Sequence, residues 1–233
     1  MAFSKKEAPN CDWCPHKKTC FFDLLEDKQS RKEWKEMRIA NRFKSGETIF
    51  YEGEKPPGLY VVCTGKVKIH KTSRTGQQLT TRFEKPGDLL GHRSMLSQEH
   101  YSGNAVATEE SIISMVDEPS FTHFLLKYSK AALALLREMS KDVRRGEDKA
   151  RDIAFKPARV RLGSVLLSVM HANNGKPVVS GFKRKDLAEM AGLTIETTVR
   201  LIKDFEVRNL IKKKDKDLII SDEAKLRSLA ERS

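Results

Sequence analysis

The sequence predicts an α+β chain in which a small antiparallel β-roll is joined through one long helix to a helix-turn-helix. Three observations carry that expectation. Between Phe43 and Pro119, short alternating apolar runs are broken by a series of glycines from Gly46 to Gly91, the rhythm of strands in a small roll. From Ser129 to Phe155 the apolar positions recur at helical spacing. Beyond Lys183, two helical patterns flank Gly192 with the separation of helix, tight turn and helix.

At 233 residues the chain can build a sizeable core, and the change of pattern at the long helix favours two domains over one. Its 44 Lys plus Arg against 32 Asp plus Glu leave a formal charge of +12. That balance points to a polyanionic partner, because basic side chains bind phosphate by releasing its condensed counterions. No run approaches the apolar length of a membrane span, and the opening MAFSKKEAPN lacks the apolar core of a signal peptide. A cytoplasmic protein without a membrane partner is expected. In a reducing compartment, Cys11, Cys14, Cys20 and Cys63 read as metal ligands or redox sensors before structural disulfides.

Taken in order, residues 1–42 form a cysteine-containing arm. Cys11, Cys14 and Cys20 make a C-x2-C-x5-C arrangement, in which a tight turn aims two thiolates at one centre and a third closes around it. Iron-sulfur clusters and zinc both require such a cage, and for zinc His16 could supply a fourth ligand. Cysteines in an arm without metal are the alternative. Residues 23–41 place Leu25, Trp34, Met37 and Ile39 among charges, which predicts one or two short helices packed on the roll. Residues 43–128 form the roll, with strands expected at Thr48–Tyr51, Leu59–Cys63, Lys66–His70, Gln78–Phe83 and Ser111–Val116, and a short helix at Phe121–Tyr128.

Residues 129–155 form the connecting helix. Ala132, Leu136, Met139, Val143, Gly146, Ala150 and Ile153 fall at alternating steps of four and three, a narrow stripe suited to a dimer seam. The intervening positions from Lys141 to Asp152 are mostly charged, so the second half of this helix has no other apolar face to bury. The bland alternative is a solvated connector. Gly146 weakens any seam, having no side chain to fill a hole and costing about 1 kcal/mol against Ala in a helix interior. Dimerisation is therefore expected to be conditional.

Residues 156–233 form the last domain. An apolar helix over 159–172 must be buried, and Asn173-Asn174-Gly175-Lys176-Pro177 reads as a turn. A helix from Lys183 to Met190, Gly192, and a second helix from Thr194 to Val207 follow. Thr194 suits the N-cap. Glu196, Val199 and Arg200 share one face of the second helix. Arg can donate twice to guanine and Glu can accept from cytosine, whereas an ordinary i,i+4 ion pair is the structural alternative. Lys183, Arg184, Lys185, Lys203 and Lys212–Lys214 are candidate phosphate contacts, as are Thr194 and Thr197 near the turn. Asp217–Ile220 is the expected wing strand and 222–233 a short exposed helix.

The run Gly46-Glu47-x-Ile49-x-x-x-Gly53-Glu54-x-Pro56-x-x-Leu59-Tyr60-x-Val62-x-x-Gly65-x-Val67-Lys68, followed by Pro86-Gly87-Asp88-x-x-Gly91, resembles the cyclic-nucleotide-binding β-roll of the Crp/Fnr family of bacterial transcription regulators. The resemblance extends over nearly the whole chain. It implies a cyclic-nucleotide-binding-like β-roll (a jelly roll), a dimerisation helix and a C-terminal winged helix-turn-helix. It further implies a homodimer that binds double-stranded DNA and works with RNA polymerase. Leu193 to Arg200 is similar to the recognition helix of the Fnr branch, whose Glu and Arg positions, here Glu196 and Arg200, read the TGA part of a TTGAT-like half-site. Val199 stands where that branch has Ser, which leaves the outer base open.

The same resemblance bears on the signal. Members that bind cyclic AMP carry a Glu and then an Arg after the Gly-Asp-x-x-Gly motif. Here His92 and Arg93 follow Gly91, and Tyr101-Ser102-Gly103 replaces Arg-Ser-Ala, so no cyclic nucleotide is expected. The Fnr branch shares the cysteine spacing, and that resemblance makes Cys11, Cys14 and Cys20 candidate ligands of an oxygen-labile [4Fe-4S] cluster controlling dimerisation and DNA binding. That branch takes its fourth cysteine from the last strand of the roll, where Ser114 stands here. Jelly-roll topology should set Leu59–Cys63 beside Ser111–Val116, so Cys63 is a candidate replacement, with Asp117, His16 or an external ligand as rivals; a small buried hydrophobe is the equal alternative for Cys63. Zinc, a thiol switch or another small effector are alternatives for the same regulator. A cupin-type enzyme is not expected: His70, His92, His100 and His123 form no cupin motif, and no nucleophile–base constellation or phosphate loop is present.

Overall fold

The computed structural model describes residues 3–231 other than 6, 7, 77 and 174. Asn174, in the expected turn, and Ser233, at the end of the expected tail, lie outside them. The chain divides into two compact units, Met1–Val143 and Arg144–Ser233. No helix among the described residues is long and apolar enough to cross a membrane.

In the first unit, 3-10 turns at Lys17–Thr19 and Phe21–Leu24 lead to α1 (Lys28–Met37), whose N-cap Asp27 accepts from the Ser30 amide. Eight strands follow: β1 (Ile39–Phe43), β2 (Thr48–Phe50), β3 (Gly58–Thr64), β4 (Val67–Thr72), β5 (Gln78–Glu84), β6 (Leu89–Leu90), β7 (Asn104–Ala107) and β8 (Ser111–Asp117), with α2 (His92–Leu96) after β6. They form two four-stranded sheets, ordered β1-β8-β3-β6 and β2-β7-β4-β5. All pairings are antiparallel, as a jelly roll requires. Side chains alternate across each strand. On β3, Tyr60 and Val62 enter the roll interior with Phe43, Phe50 and Tyr101, while Leu59 and Val61 face outward into a second core. That outer core holds Cys11, Phe21, Phe22 and Trp34 of the arm, Phe121 and Phe124 of α3 (Glu118–Lys127), and Ala131, Ala134 and Leu135 of α4 (Ser129–Phe155). Each large side chain fully buried there contributes roughly 1.5–3 kcal/mol.

The second unit builds its own core from Leu162, Leu166, Leu187, Ile202, Phe205, Leu218 and Leu226. Its elements are α5 (Ala158–Val169), β9 (His171–Asn173), β10 (Lys176–Val179), α6 (Arg184–Ala191), α7 (Ile195–Val207), β11 (Ile211–Lys214), β12 (Asp217–Ile220) and α8 (Glu223–Ala230), with sheet order β11-β12-β10-β9. This is the expected winged helix-turn-helix.

Several local expectations need correction. Ile39 belongs to β1, not to a helix, because Ile39–Phe43 pairs with Met115–Ser111 of β8; the boundary at residue 43 therefore falls inside a strand. The helix expected over 159–172 ends at Val169, and His171–Asn173 pairs with β10. Strands β6, β7, β10 and β11 and helix α2 lie outside the expected elements, being too short to show a period, and the expected turn at 173–177 is shorter, since Asn173 pairs with Lys176. The tail helix is not simply exposed: Leu226 and Ala230 of α8 are buried.

Candidate functional site

The helix-turn-helix is assembled from contiguous sequence. α6 ends at Gly192, which adopts φ 62° and ψ 46° and donates its amide to the Ala188 and Glu189 carbonyls. Only glycine takes that left-handed position freely, so the turn is sharp. Thr194 then caps α7, its Oγ1 accepting from the Thr197 amide at 3.2 Å. Thr198, Ile202 and Phe205 are buried, so the opposite face of α7 is outward. Glu196, Val199 and Arg200 are all exposed there, Val199 at 46%. Among the described residues no ion pair joins Glu196 to Arg200, and neither pairs elsewhere. Lys183 and Lys203 are exposed; Lys185 lies 3.8 Å from Glu189, and Arg184 is half-buried. On the wing, Lys212 to Lys214 are exposed, with Lys213 3.4 Å from Glu206.

The second constellation is a pocket of the first unit lined by Cys11, Cys14, Cys20 and Cys63, together with Pro9, His16, Arg38, Val61 and Gly87. The arm brings three thiols through successive tight turns: the Cys14 amide bonds the Cys11 carbonyl, Lys17 bonds Cys14, and Cys20 bonds Lys17. It is seated on the roll at Thr19, whose Oγ1 donates to the Pro86 carbonyl at 3.2 Å. Gly87, at φ +103°, lies so close that a Cβ there would sit 2.6 Å from the Thr19 carbonyl oxygen.

Cys63 comes from the roll. The β3–β8 register runs Val62↔Ile113 and then Thr64↔Ile112, which leaves Cys63 as the extra residue of a β-bulge. It stands on the outward side of β3 with Leu59 and Val61, and its Sγ lies 3.0 Å from Ser114 Oγ. The expected adjacency of these two strands, and of these two residues, is present. All four cysteines are free of disulfides. Burial pushes the Cys11 thiol up to about 11, helped by the other cysteines and opposed by Arg38; burial likewise raises the Cys20 thiol.

No group of three His, Cys, Asp or Glu side chains among the described residues is set closely enough to hold a single metal ion. One tetrahedral zinc demands such closeness, with ligands at about 2.0–2.3 Å from it. Four thiols line this one pocket. His16 lines the same pocket. Asp117 instead caps α3, accepting from the Ser120 amide.

A family model described as the cyclic nucleotide-binding domain matches residues 40–128, and one described as the Crp-like helix-turn-helix domain matches residues 160–229. The cyclic AMP receptor protein of Thermus thermophilus is 28% identical over 160 residues, covering 69% of this chain and 73% of that one. The fumarate and nitrate reduction regulatory protein of Vibrio cholerae is 24% identical over 228 residues, covering 96% and 91%. A crystal structure of a CRP/FNR-family transcriptional regulator from Thermus thermophilus aligns with TM-score 0.67 and 22% identity, covering 83% of this chain and 98% of its own. The chain belongs to the Crp/Fnr family. It is a DNA-binding transcription regulator.

Crp-like regulators bind DNA as dimers, and the stripe expected to form a seam lies on α4. Leu136, Val143 and Ile153 are exposed at 58%, 61% and 41%, and Gly146 and Ala150 are exposed as well. Leu133, outside the expected stripe, is also exposed. Met139 is shared: it is half-buried and packs against the outer core. Within the roll of this Crp/Fnr regulator, Tyr101 is 3% exposed and stacks on Phe50, with ring centroids 3.9 Å apart.

Two residues of the cysteine site escaped the sequence reading. Thr19 gave no signal, since its role depends on the remote turn at Gly87. Arg38 lies between a helix and a strand with nothing in its neighbours to mark it.

Proposed function

We propose that this Crp/Fnr regulator responds to oxygen or redox state through a [4Fe-4S] cluster held by Cys11, Cys14, Cys20 and Cys63. One observation carries the reading: Cys63, on the outward side of β3 beside Ser114, lines the same pocket as the three arm cysteines. The cluster, when bound, supplies an oxygen-labile tie between arm and roll. The chain's own residues convert that tie into a signal. Cys11, Phe21, Phe22 and Trp34 share one core with Ala131, Ala134 and Leu135 of α4, so an arm held in place braces the helix that carries the seam. Loosening the arm removes that brace, and Gly146 leaves the seam too weak to persist without it.

The paired state presents two copies of α7 to DNA. Glu196 and Arg200 read the TGA part of a TTGAT-like half-site in the major groove, with Val199 beside them. Lys183, Arg184, Lys185, Thr194, Thr197, Lys203 and the wing lysines bind phosphate. RNA polymerase is the expected further partner and the cytoplasm the place of action. Cyclic nucleotides are not the signal. Tyr101, where a buried phosphate-binding Arg is expected in cyclic AMP binders, is an aromatic packed on Phe50, and a desolvated phosphate would lack its charge-assisted partner.

The test is anaerobic purification followed by iron, sulfide and zinc analysis and an absorbance spectrum, before and after air. About four irons and four sulfides per chain are expected, with bleaching in air accompanied by loss of dimer and of DNA binding. Cys63→Ser should lose the cluster. A full cluster in that variant would dismiss Cys63 as a ligand, and zinc or no metal with unchanged DNA binding would dismiss the cluster itself.

A further inference from the structure

Arg38 is a buried cation with no anion beside it among the described residues. It sits where α1 ends and the chain turns extended into β1, and it is 3% exposed. Its Nη2 donates to the Pro9 carbonyl at 2.9 Å. Its Nη1 lies 3.5 Å from Ser114 Oγ and 3.8 Å from Cys63 Sγ. Its Nε is buried with no hydrogen-bond partner. Among the described residues no carboxylate pairs with it, although it lines the pocket of the four cysteines. A guanidinium cannot escape burial by losing its proton, and an ion taken from water without a counter-ion is strongly unfavourable.

We infer that Arg38 is the buried counter-charge of the cysteine centre, a positioning residue that stabilises the pocket when it holds an anionic, thiolate-ligated metal group and destabilises it when that group is gone. Four thiolates around a dicationic iron-sulfur core leave an anionic whole, and the guanidinium is already in contact with the sulfur that the roll contributes. Four neutral thiols offer it no charge. Arg38 also bonds the arm at Pro9, two residues before Cys11. Losing the metal group therefore leaves an uncompensated cation at the joint between arm and roll, which favours release of the arm. This assignment rests on the proposed function, in that the cysteines must hold a charged centre; it adds which residue makes the empty state unfavourable.

The experiment uses the full chain as wild type, Arg38→Met and Arg38→Lys, each loaded anaerobically with iron and sulfide. Three quantities are measured: the midpoint of the cluster's one-electron couple at an electrode, the rate of iron loss to a chelator, and the thermal midpoint of the metal-free protein. A nearby cation favours the more reduced, more negative form. Arg38→Met is thus expected to shift the couple to lower potential and to lose iron faster, with Arg38→Lys recovering part of both. The metal-free Arg38→Met protein is expected to be at least as heat-stable as metal-free wild type, because the substitution removes an unpaired buried charge. Two results overturn the assignment while leaving the cluster in place: unchanged potential and iron loss in a loaded Arg38→Met protein, or a metal-free Arg38→Met protein less stable than its wild-type counterpart. Wild type that takes up zinc in place of iron and sulfide overturns the cluster alone, and chelator competition on the same variants then decides the counter-charge. Wild type that binds no metal overturns both.

Discussion

The cysteine pocket and the recognition helix are both sites of a few side chains, yet they are built in opposite ways. Glu196, Val199 and Arg200 lie within five residues of one helix, and helical geometry alone puts them on a common face. Cys11, Cys14 and Cys20 reach Cys63 because the arm seats on the roll, at Thr19 and Gly87 among other contacts, on the face of β3 to which Cys63 is turned. A site on one rigid element is insensitive to the rest of the fold. One spread across three segments fails when any seat is lost, which suits a sensor that must be able to let go.

The sharpest way to break that contrast is Gly87→Ala. The new Cβ would be strained at φ +103° and would meet backbone of the cysteine arm, with strain alone costing roughly 1–3 kcal/mol. The expected outcome is a marked fall in iron and sulfide content while the second unit stays folded; a variant that loads like wild type would mean the arm has another seat. Arg200→Ala should do the reverse. It is expected to cost about 1–3 kcal/mol of discrimination at the base pair it reads, with non-specific binding and iron content unchanged, as competition with mutated half-sites would show.

Smaller changes sharpen the comparison. Thr194→Ala removes the side-chain acceptor for the Thr197 amide and is expected to cost about 1 kcal/mol in unfolding of the second unit without altering the pocket. A pH series then addresses the first unit alone. Burial pushes the Glu84 carboxyl up to about 7, against the opposing pull of Arg82. Its folded-state affinity for a proton exceeds that of the unfolded chain. The resulting stabilisation is full below the ordinary glutamate value of about 4.5 and is lost as pH rises toward 7. Glu84→Gln should flatten that decline, read as a thermal midpoint that varies less over this window than in wild type; an equal slope would place the titration elsewhere.

Legibility in the sequence followed the same division. The long helix appears at Ser129–Phe155 as its period requires, and α6, the turn and α7 fall within a residue of their expected bounds. Five strands of the roll were readable because alternation and glycine breaks are local signals. β1 was not, since Ile39 to Phe43 becomes a strand by pairing with β8, some seventy residues away in sequence. The two-residue β6 was too short to show any pattern. The solvent-facing stripe of α4 was legible in part. Met139 fits its spacing but also packs against the outer core, a use that periodicity cannot show.

What the sequence determined by itself is therefore whatever depends on neighbours three or four positions away: the helices, the cap at Thr194, the left-handed turn at Gly192 and the common face of Glu196 and Arg200. Tertiary structure decided what depends on segments meeting. The meeting of Cys63 with the arm cysteines, the seat of Thr19 on Gly87 and the isolation of Arg38 from every carboxylate among the described residues arise only when the arm lies on the roll. The physical reason is range. Backbone hydrogen bonding and side-chain periodicity are set within a turn or a strand, whereas burial and the pairing of charge are properties of whichever remote surfaces exclude water together.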